Sequence, residues 1–308
     1  MTGVAAPDRP ESLTAVEGRV RPSATPRPPL RRPTPPTVNA LTVDLEDWYH
    51  VCGAGGLSAP LHWDEYESRV TRNTRMILSL LQRRGARATF FVLGYIAERE
   101  PELIRAIARD GHEVATHGHF HRRVFEMTPA QFEVDLARSL AAITAATGEP
   151  VIGYRAPEWS IRPHTLWALG LLRRYGIRYD ASMVPLTRMG DRSFPRFPCR
   201  LQTGYGEIAE FPLTTVRCFG EHLPFTGGLP LRLTPYWYVL SAIRRLNGRG
   251  RPALVYVHPW EFDAEQPRIA LPWSRRFMHY FNLRATPRKL GGLLTHLRFA
   301  PVRDVLEL

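Results

Sequence analysis

From residue 39 onward, short apolar runs alternate with amphipathic segments, and the links between them are short. NALTVDL (39–45) reads as a strand. ESRVTRNTRMILSLLQRRG (67–85) sets Val70, Ile77, Leu78 and Leu81 at helical spacing and stops at Gly85. ATFFVLG (88–94) reads as a buried strand, and EPELIRAIARDG (100–111) as a helix with Pro101 in its first turn. HEVATHG (112–118) is the next strand. TPAQFEVDLARSLAAITAATG (128–148) is a helix with Thr128 as N-cap, Gln131 as its capping-box partner and Gly148 as its stop. VIGYRAP, PHTLWALGLLRRYG and IRYDAS continue as strand, helix and strand. This alternation predicts a parallel sheet covered by helices.

The second half is less regular. EIAEFPLTTV (207–216) reads as a strand, TPYWYVLSAIRRLNG (234–248) as a helix capped by Thr234, and PALVYVHPW (252–260) as a strongly apolar strand. A closing helix and a short final strand fit TPRKLGGLLTHLRFAPVRDVL (286–306). The 308-residue length suits one α/β barrel or two smaller domains, and residues 38–308 read as one domain. Residues 1–37 stand apart. RPSATPRPPLRRPTPPTV has few large apolar side chains and cannot bury a core, so a disordered Pro/Arg-rich tail is expected, with a polyproline ligand or an anchor to an anionic surface as its functional alternative.

The formal net charge of +12 comes almost wholly from arginine, Lys289 being the only lysine. No nucleic-acid motif or long basic block accompanies it, so no nucleic-acid partner is expected. A basic surface still suits peripheral contact with a membrane or an anionic polymer. No run of about 18 apolar residues exists to cross a membrane. The first residues lack the apolar core of a secretory signal, which predicts a cytoplasmic chain. Cys52, Cys199 and Cys218 lie far apart with no CxxC pair, so neither a disulfide framework nor a cysteine zinc site is indicated. Nothing in the sequence fixes the oligomeric state.

Five expected strands finish at an ionisable residue: Asp44, His117, Arg155, Asp180 and His258. In a parallel barrel those ends share the face on which active sites are built. One such residue means little; five in register point to a site.

THGHFHR holds His117, His119 and His121 in a short loop. Two histidines four apart can reach one ion, with a carboxylate as third ligand. The first strand supplies Asp44, Glu46 and Asp47, whose mutual repulsion a cation would relieve. A carboxylate left off the ion can take a proton from water. The blander reading is a solvated turn facing a solvated histidine loop, but Trp48 and Tyr49 directly behind argue against full exposure. Arg155 can pair with the base, and Asp180 can orient His258 and raise its pKa. Glu261 is another candidate partner for His258 but reads more simply as a loop carboxylate.

TVDLED (42–47), HGHFH (117–121), RAPEW (155–159), DASM (180–183) and LVYVH (254–258) together resemble, in order, the five motifs of the NodB-type polysaccharide deacetylases, carbohydrate esterase family 4. The DLEDW and HPWEFD forms and the ending FMHYFNLRATPRKLGGLL resemble the subgroup of exosortase-associated exopolysaccharide loci, whose C-terminal extension would here cover about 200–308. The resemblance implies a distorted (β/α)7 barrel and a divalent metal, zinc in the first place. It implies hydrolysis of N-acetyl groups on a polymeric N-acetylhexosamine, and the expected cytoplasmic location adds a lipid-linked precursor as substrate. Carried over, Asp44 is the general base, His117 and His121 are metal ligands, Arg155 orients the base, His258 is the general acid and Asp180 supports it. Metal and a backbone N–H would stabilise the oxyanion.

The sequence departs from the family's adjacent aspartates. The third ligand is either Asp47 or Glu46, and the expectation favours Asp47 as the residue able to turn back once the strand has ended. Gly118 stands where the family has Ser or Thr, removing a hydrogen bond behind the ligands, and His119 is an extra nitrogen that could compete for the ion. Two other functions are set against deacetylation: hydrolysis of a small cyclic amide on the same barrel, and a glycan-binding module without catalysis.

Overall fold

The structure, a computed structural model, describes residues 36–51, 60–187, 189–218 and 221–308. The expected tail lies outside the described residues up to residue 35, as does Cys52.

Eleven strands and ten α-helices follow one another among the described residues. The strands are β1 (Asn39–Leu45), β2 (Thr89–Val92), β3 (Glu113–Thr116), β4 (Gly153–Tyr154), β5 (Tyr179–Asp180), β6 (Cys199–Thr203), β7 (Gly206–Glu210), β8 (Thr215–Cys218), β9 (Glu221–Pro224), β10 (Leu254–Val257) and β11 (Phe299–Ala300). The helices are α1 (Val70–Arg83), α2 (Gly94–Arg99), α3 (Pro101–Arg109), α4 (Pro129–Thr147), α5 (Trp167–Arg174), α6 (Gly228–Leu233), α7 (Tyr236–Asn247), α8 (Trp273–Tyr280), α9 (Ala285–His296) and α10 (Val302–Val305).

The main sheet runs β10-β1-β2-β3-β4-β5-β7-β6. Every neighbouring pair from β10 to β7 is parallel, which makes seven parallel strands, and β6 adds an antiparallel edge. The (β/α)7 expectation therefore holds, with a sheet that curls without closing. On its free side β10 is met by a loop instead of a strand. The Tyr256 N–H donates to Thr226 O at 3.2 Å, and the Leu254 N–H to Thr214 Oγ1 at 2.7 Å. β11 pairs with the start of β1.

β1 is buried along its whole length, as a central parallel strand should be. Val70, Ile77, Leu78 and Leu81 turn the apolar face of α1 into the core. In α4 the Thr128–Gln131 capping box forms and Gly148 closes the helix in the left-handed region at φ 75°. Elsewhere local signals misled. The run 207–216 breaks after Glu210, because β7 turns inward and Thr215 begins a separate hairpin, β8–β9. α7 starts at Tyr236 behind Pro235, and Thr234 does not cap it; its carbonyl accepts from Lys289 Nζ at 2.6 Å. Gly94, read as the end of a strand, opens α2. No helix among the described residues is long and apolar enough to cross a membrane.

Candidate active site

The C-terminal ends of the parallel strands meet around a cavity of about 500 Å³, lined by Asp44, Glu46, His117, His121, His258 and Trp260 among others. β1 delivers Asp44 and then turns at once, the Glu46 N–H donating to Asp44 O at 3.0 Å. That tight turn sends Glu46 back over the sheet end. Its Oε1 lies 3.1 Å from His117 Nε2 and 3.0 Å from His121 Nε2.

The expectation for Asp47 is corrected by the same turn. One residue further on, the chain has already left the site. Asp47 Oδ2 accepts from Ser68 Oγ at 2.7 Å, from the Arg69 N–H at 2.9 Å and from the Val70 N–H at 3.1 Å. It anchors the start of α1, where a carboxylate meets unpaired backbone donors and the positive end of the helix dipole. Glu46, the alternative, is the carboxylate between the histidines.

The histidine loop is shaped by residues the sequence did not flag. Gly118 has φ 76°, and a Cβ there would approach Asp135 Oδ2 to 3.0 Å. Asp135, from α4, accepts the N–H groups of His119 at 2.7 Å and Phe120 at 3.2 Å. Gly118 is thus the residue that lets the loop close onto Asp135. His121 itself sits at φ 50°, and Glu158 and Trp159, which also line the cavity, share the left-handed region. Such non-glycine conformations cost about 1–3 kcal/mol each and persist where the surroundings enforce them. His119 does not compete for an ion. It is buried against Gly94 and α4, a Cβ at Gly94 would strike its ring, and burial lowers its pKa to about 4.

Glu46, His117 and His121 fit a metal ion. His117 Nδ1 lies 2.8 Å from Arg155 O, a pure acceptor, so Nδ1 carries a proton and Nε2 is the ring nitrogen turned to Glu46 and available to an ion. A cation held there would take a lone pair from each imidazole and from the carboxylate. Donor separations of 3.0–3.1 Å approach the roughly 3.3 Å expected between tetrahedral zinc ligands bound at about 2.0 Å. A second cluster, Asp44, Glu46 and His258, is also tight enough to ligate. It fits less well, because Asp44 is already engaged by a guanidinium.

That guanidinium is Arg155, fully buried after β4. Its Nη1 donates to Asp44 Oδ1 at 2.6 Å and to Thr42 Oγ1 at 2.8 Å, and its Nε to Ala181 O at 3.0 Å. Phe91 and Trp159 sandwich it, with ring centroids 4.2 and 4.6 Å from its central carbon. Asp180, expected beside His258, serves this arginine's loop instead. Its Oδ1 accepts from Ser182 Oγ, which accepts the Ala156 N–H at 2.7 Å, and its other neighbour is Glu210. Burial raises the pKa of both carboxyls, Glu210 well above its usual range, so the pair shares a proton.

His258 sits after β10, Nε2 3.9 Å from Asp44 Oδ2 and Nδ1 3.7 Å from Glu261 Oε2. Burial opposes its charged form, but Glu46, Glu261 and Asp44 outweigh that and raise its pKa. Glu261 is no loop carboxylate. It is fully buried and ion-paired with Arg232 Nε at 3.2 Å. The signal available was its place three residues after His258 on a tight turn, which aims both side chains the same way. Trp260 between them stacks on His258 at 4.8 Å and on His279 at 4.2 Å, and its indole N–H donates to Glu46 Oε2 at 3.4 Å. Burial opposes ionisation of Glu46, yet its histidine neighbours hold its pKa well below the usual range.

A curled parallel sheet carries a carboxylate and two histidines at its C-terminal face, flanked by an arginine-bound aspartate and a raised-pKa histidine, and this defines an open α/β barrel with a polar site at its C-terminal face. Residues 57–179 match the family model described as Polysaccharide deacetylase, and residues 181–307 match a domain of unknown function. The chain carries a domain of the polysaccharide deacetylase family. It is 34% identical over 108 residues to a peptidoglycan deacetylase of Helicobacter pylori, covering 35% of this chain and 36% of that one. It is 30% identical over 96 residues to a chitooligosaccharide deacetylase of Bradyrhizobium, covering 31% and 42%. The matches thus span well under half the length of these curated relatives. A solved structure described as a polysaccharide deacetylase from Mycobacterium smegmatis superposes with a TM-score of 0.62 at 23% identity, over 92% of this chain and 93% of that one, and supports the fold.

Proposed function

We propose that this chain hydrolyses the N-acetyl group of N-acetylhexosamine units in a bacterial polysaccharide or its lipid-linked precursor. One juxtaposition carries the reading: Asp44 with its buried arginine, and His258 with its buried glutamate, flank the Glu46–His117–His121 triangle in a single cavity. The relatives matched over the first half act, by name, on peptidoglycan and chitooligosaccharides, which favours an acetylated amino sugar.

Glu46, His117 and His121 would hold a divalent cation, with zinc the first choice for two imidazoles and one carboxylate. Bound there, the ion supplies positive charge that polarises a carbonyl and acidifies water. The remaining steps belong to the protein. Asp44 accepts a proton from the attacking water, and Arg155 orients that carboxylate. The water oxygen bonds to the acetyl carbon. The carbon–nitrogen bond then breaks as His258 donates its proton to the departing nitrogen. The products are acetate and a free amine. Glu261 keeps His258 charged and ready to donate.

The test is to supply the zinc-loaded chain with an N-acetylglucosamine oligomer and, separately, a five-membered cyclic ureide. Acetate with an equimolar free amine is the expected result. Ring opening without acetate would move the activity to cyclic amides, and glycan binding without turnover would leave a binding module.

A further inference from the structure

We propose that the outer face of α8 docks on an anionic lipid bilayer and so holds the cavity at a membrane surface. This goes beyond the hydrolytic reading and stands without it. At about 100° per residue, α8 has two opposed faces. Arg275 and His279 turn inward and line the cavity, and half-exposed Met278 sits at its rim. Trp273, Phe277 and, just past the helix end, Phe281 turn outward, and Trp273 is 82% exposed. The Phe277 and Phe281 rings touch at 4.6 Å, so the stripe is continuous. Arg232 of α6 donates to the carbonyls of Met278 and Phe281 at 2.6 Å, which brings exposed Leu233 to the same end.

Charge selects the occupant. From Gln266 through Arg303 the sequence carries eight arginines and lysines, Arg303 included, and not one Asp or Glu. Arg276 stands beside the aromatic stripe and Arg284 just beyond it, both exposed. A second copy packed face to face would set Arg276 and Arg284 against their own images. A soluble anionic polymer would satisfy the arginines and leave the aromatics in water. A bilayer with anionic headgroups satisfies both, taking the rings at the interface and the guanidiniums at the phosphates.

The experiment is flotation of the full chain with vesicles of phosphatidylcholine alone and with added phosphatidylglycerol. Binding is expected only with phosphatidylglycerol and should weaken as salt rises. Trp273→Ser with Phe277→Ser should lower binding about tenfold or more, as expected for withdrawing large apolar side chains from burial. Arg276→Glu with Arg284→Glu should also lower it. All four side chains are exposed, so circular dichroism and thermal midpoint should not move. Vesicle binding unchanged in the aromatic variant would overturn the proposal, as would no binding by the full chain. A dimer in light scattering that this variant dissolves, or capture on an anionic polysaccharide matrix at the salt where vesicles fail, would also overturn it.

Discussion

Arg155 meets Asp44 at 2.6 Å with its guanidinium wholly buried between two aromatic rings. The pair is buried charge against buried charge, so neither residue can be removed cleanly. Arg155→Met should lower stability by about 3–5 kcal/mol, the cost of stranding a buried carboxylate. Chemical denaturation measures it. Arg155→Lys should recover part of the stability but little activity, since a lysine cannot reach Asp44, Thr42 and Ala181 O together.

Glu46 and Asp47 are neighbours with separate tasks, and their substitutions should separate too. Glu46→Gln should abolish tight metal binding and leave the thermal midpoint of the metal-free protein nearly unchanged. Asp47→Ala should keep one equivalent of metal but lose about 1–2 kcal/mol of stability with the start of α1. Metal analysis beside thermal melts reads both.

The pH profile should report His258. Its pKa is raised, so it donates below that value, and activity should fall on the alkaline side as the ring loses its proton. A cation on Glu46 cancels that residue's share, leaving Glu261 as a main support. Glu261→Gln removes a negative neighbour, so the alkaline limb of kcat/KM should move to lower pH. A limb that stays in place would remove Glu261 from this role.

Trp260→Phe keeps the stack between His258 and His279 but deletes the N–H to Glu46 Oε2. Metal affinity should fall roughly tenfold, as for other groups that orient a ligand from behind. Competition with a chromophoric chelator measures it.

Much of this site was legible in the sequence because it rests on strand ends. Asp44, His117, Arg155 and His258 each follow an apolar run, and a parallel sheet carries such residues to one face whatever the loops do. What was not legible depended on single turns and long-range pairs. Choosing between Glu46 and Asp47 required knowing that the backbone turns at Asp44, which apolar patterning does not record. Asp180 was misassigned because Ser182, two residues on, takes one of its oxygens, and Glu210 is brought beside it by the β5–β7 pairing across an irregular stretch. Glu261 looked like a loop residue because its partner Arg232 lies far away in sequence, and charge pairing over that distance leaves no local trace.

In the proposed reaction Asp44 acts as the base beside a metal it does not hold. The most direct measurement is acetate release from an N-acetylglucosamine oligomer by Asp44→Asn, with metal content determined on the same sample. One equivalent of metal is expected, with acetate release at least about a hundredfold below the unaltered chain. A variant that keeps its metal and releases acetate at the unaltered rate would contradict it.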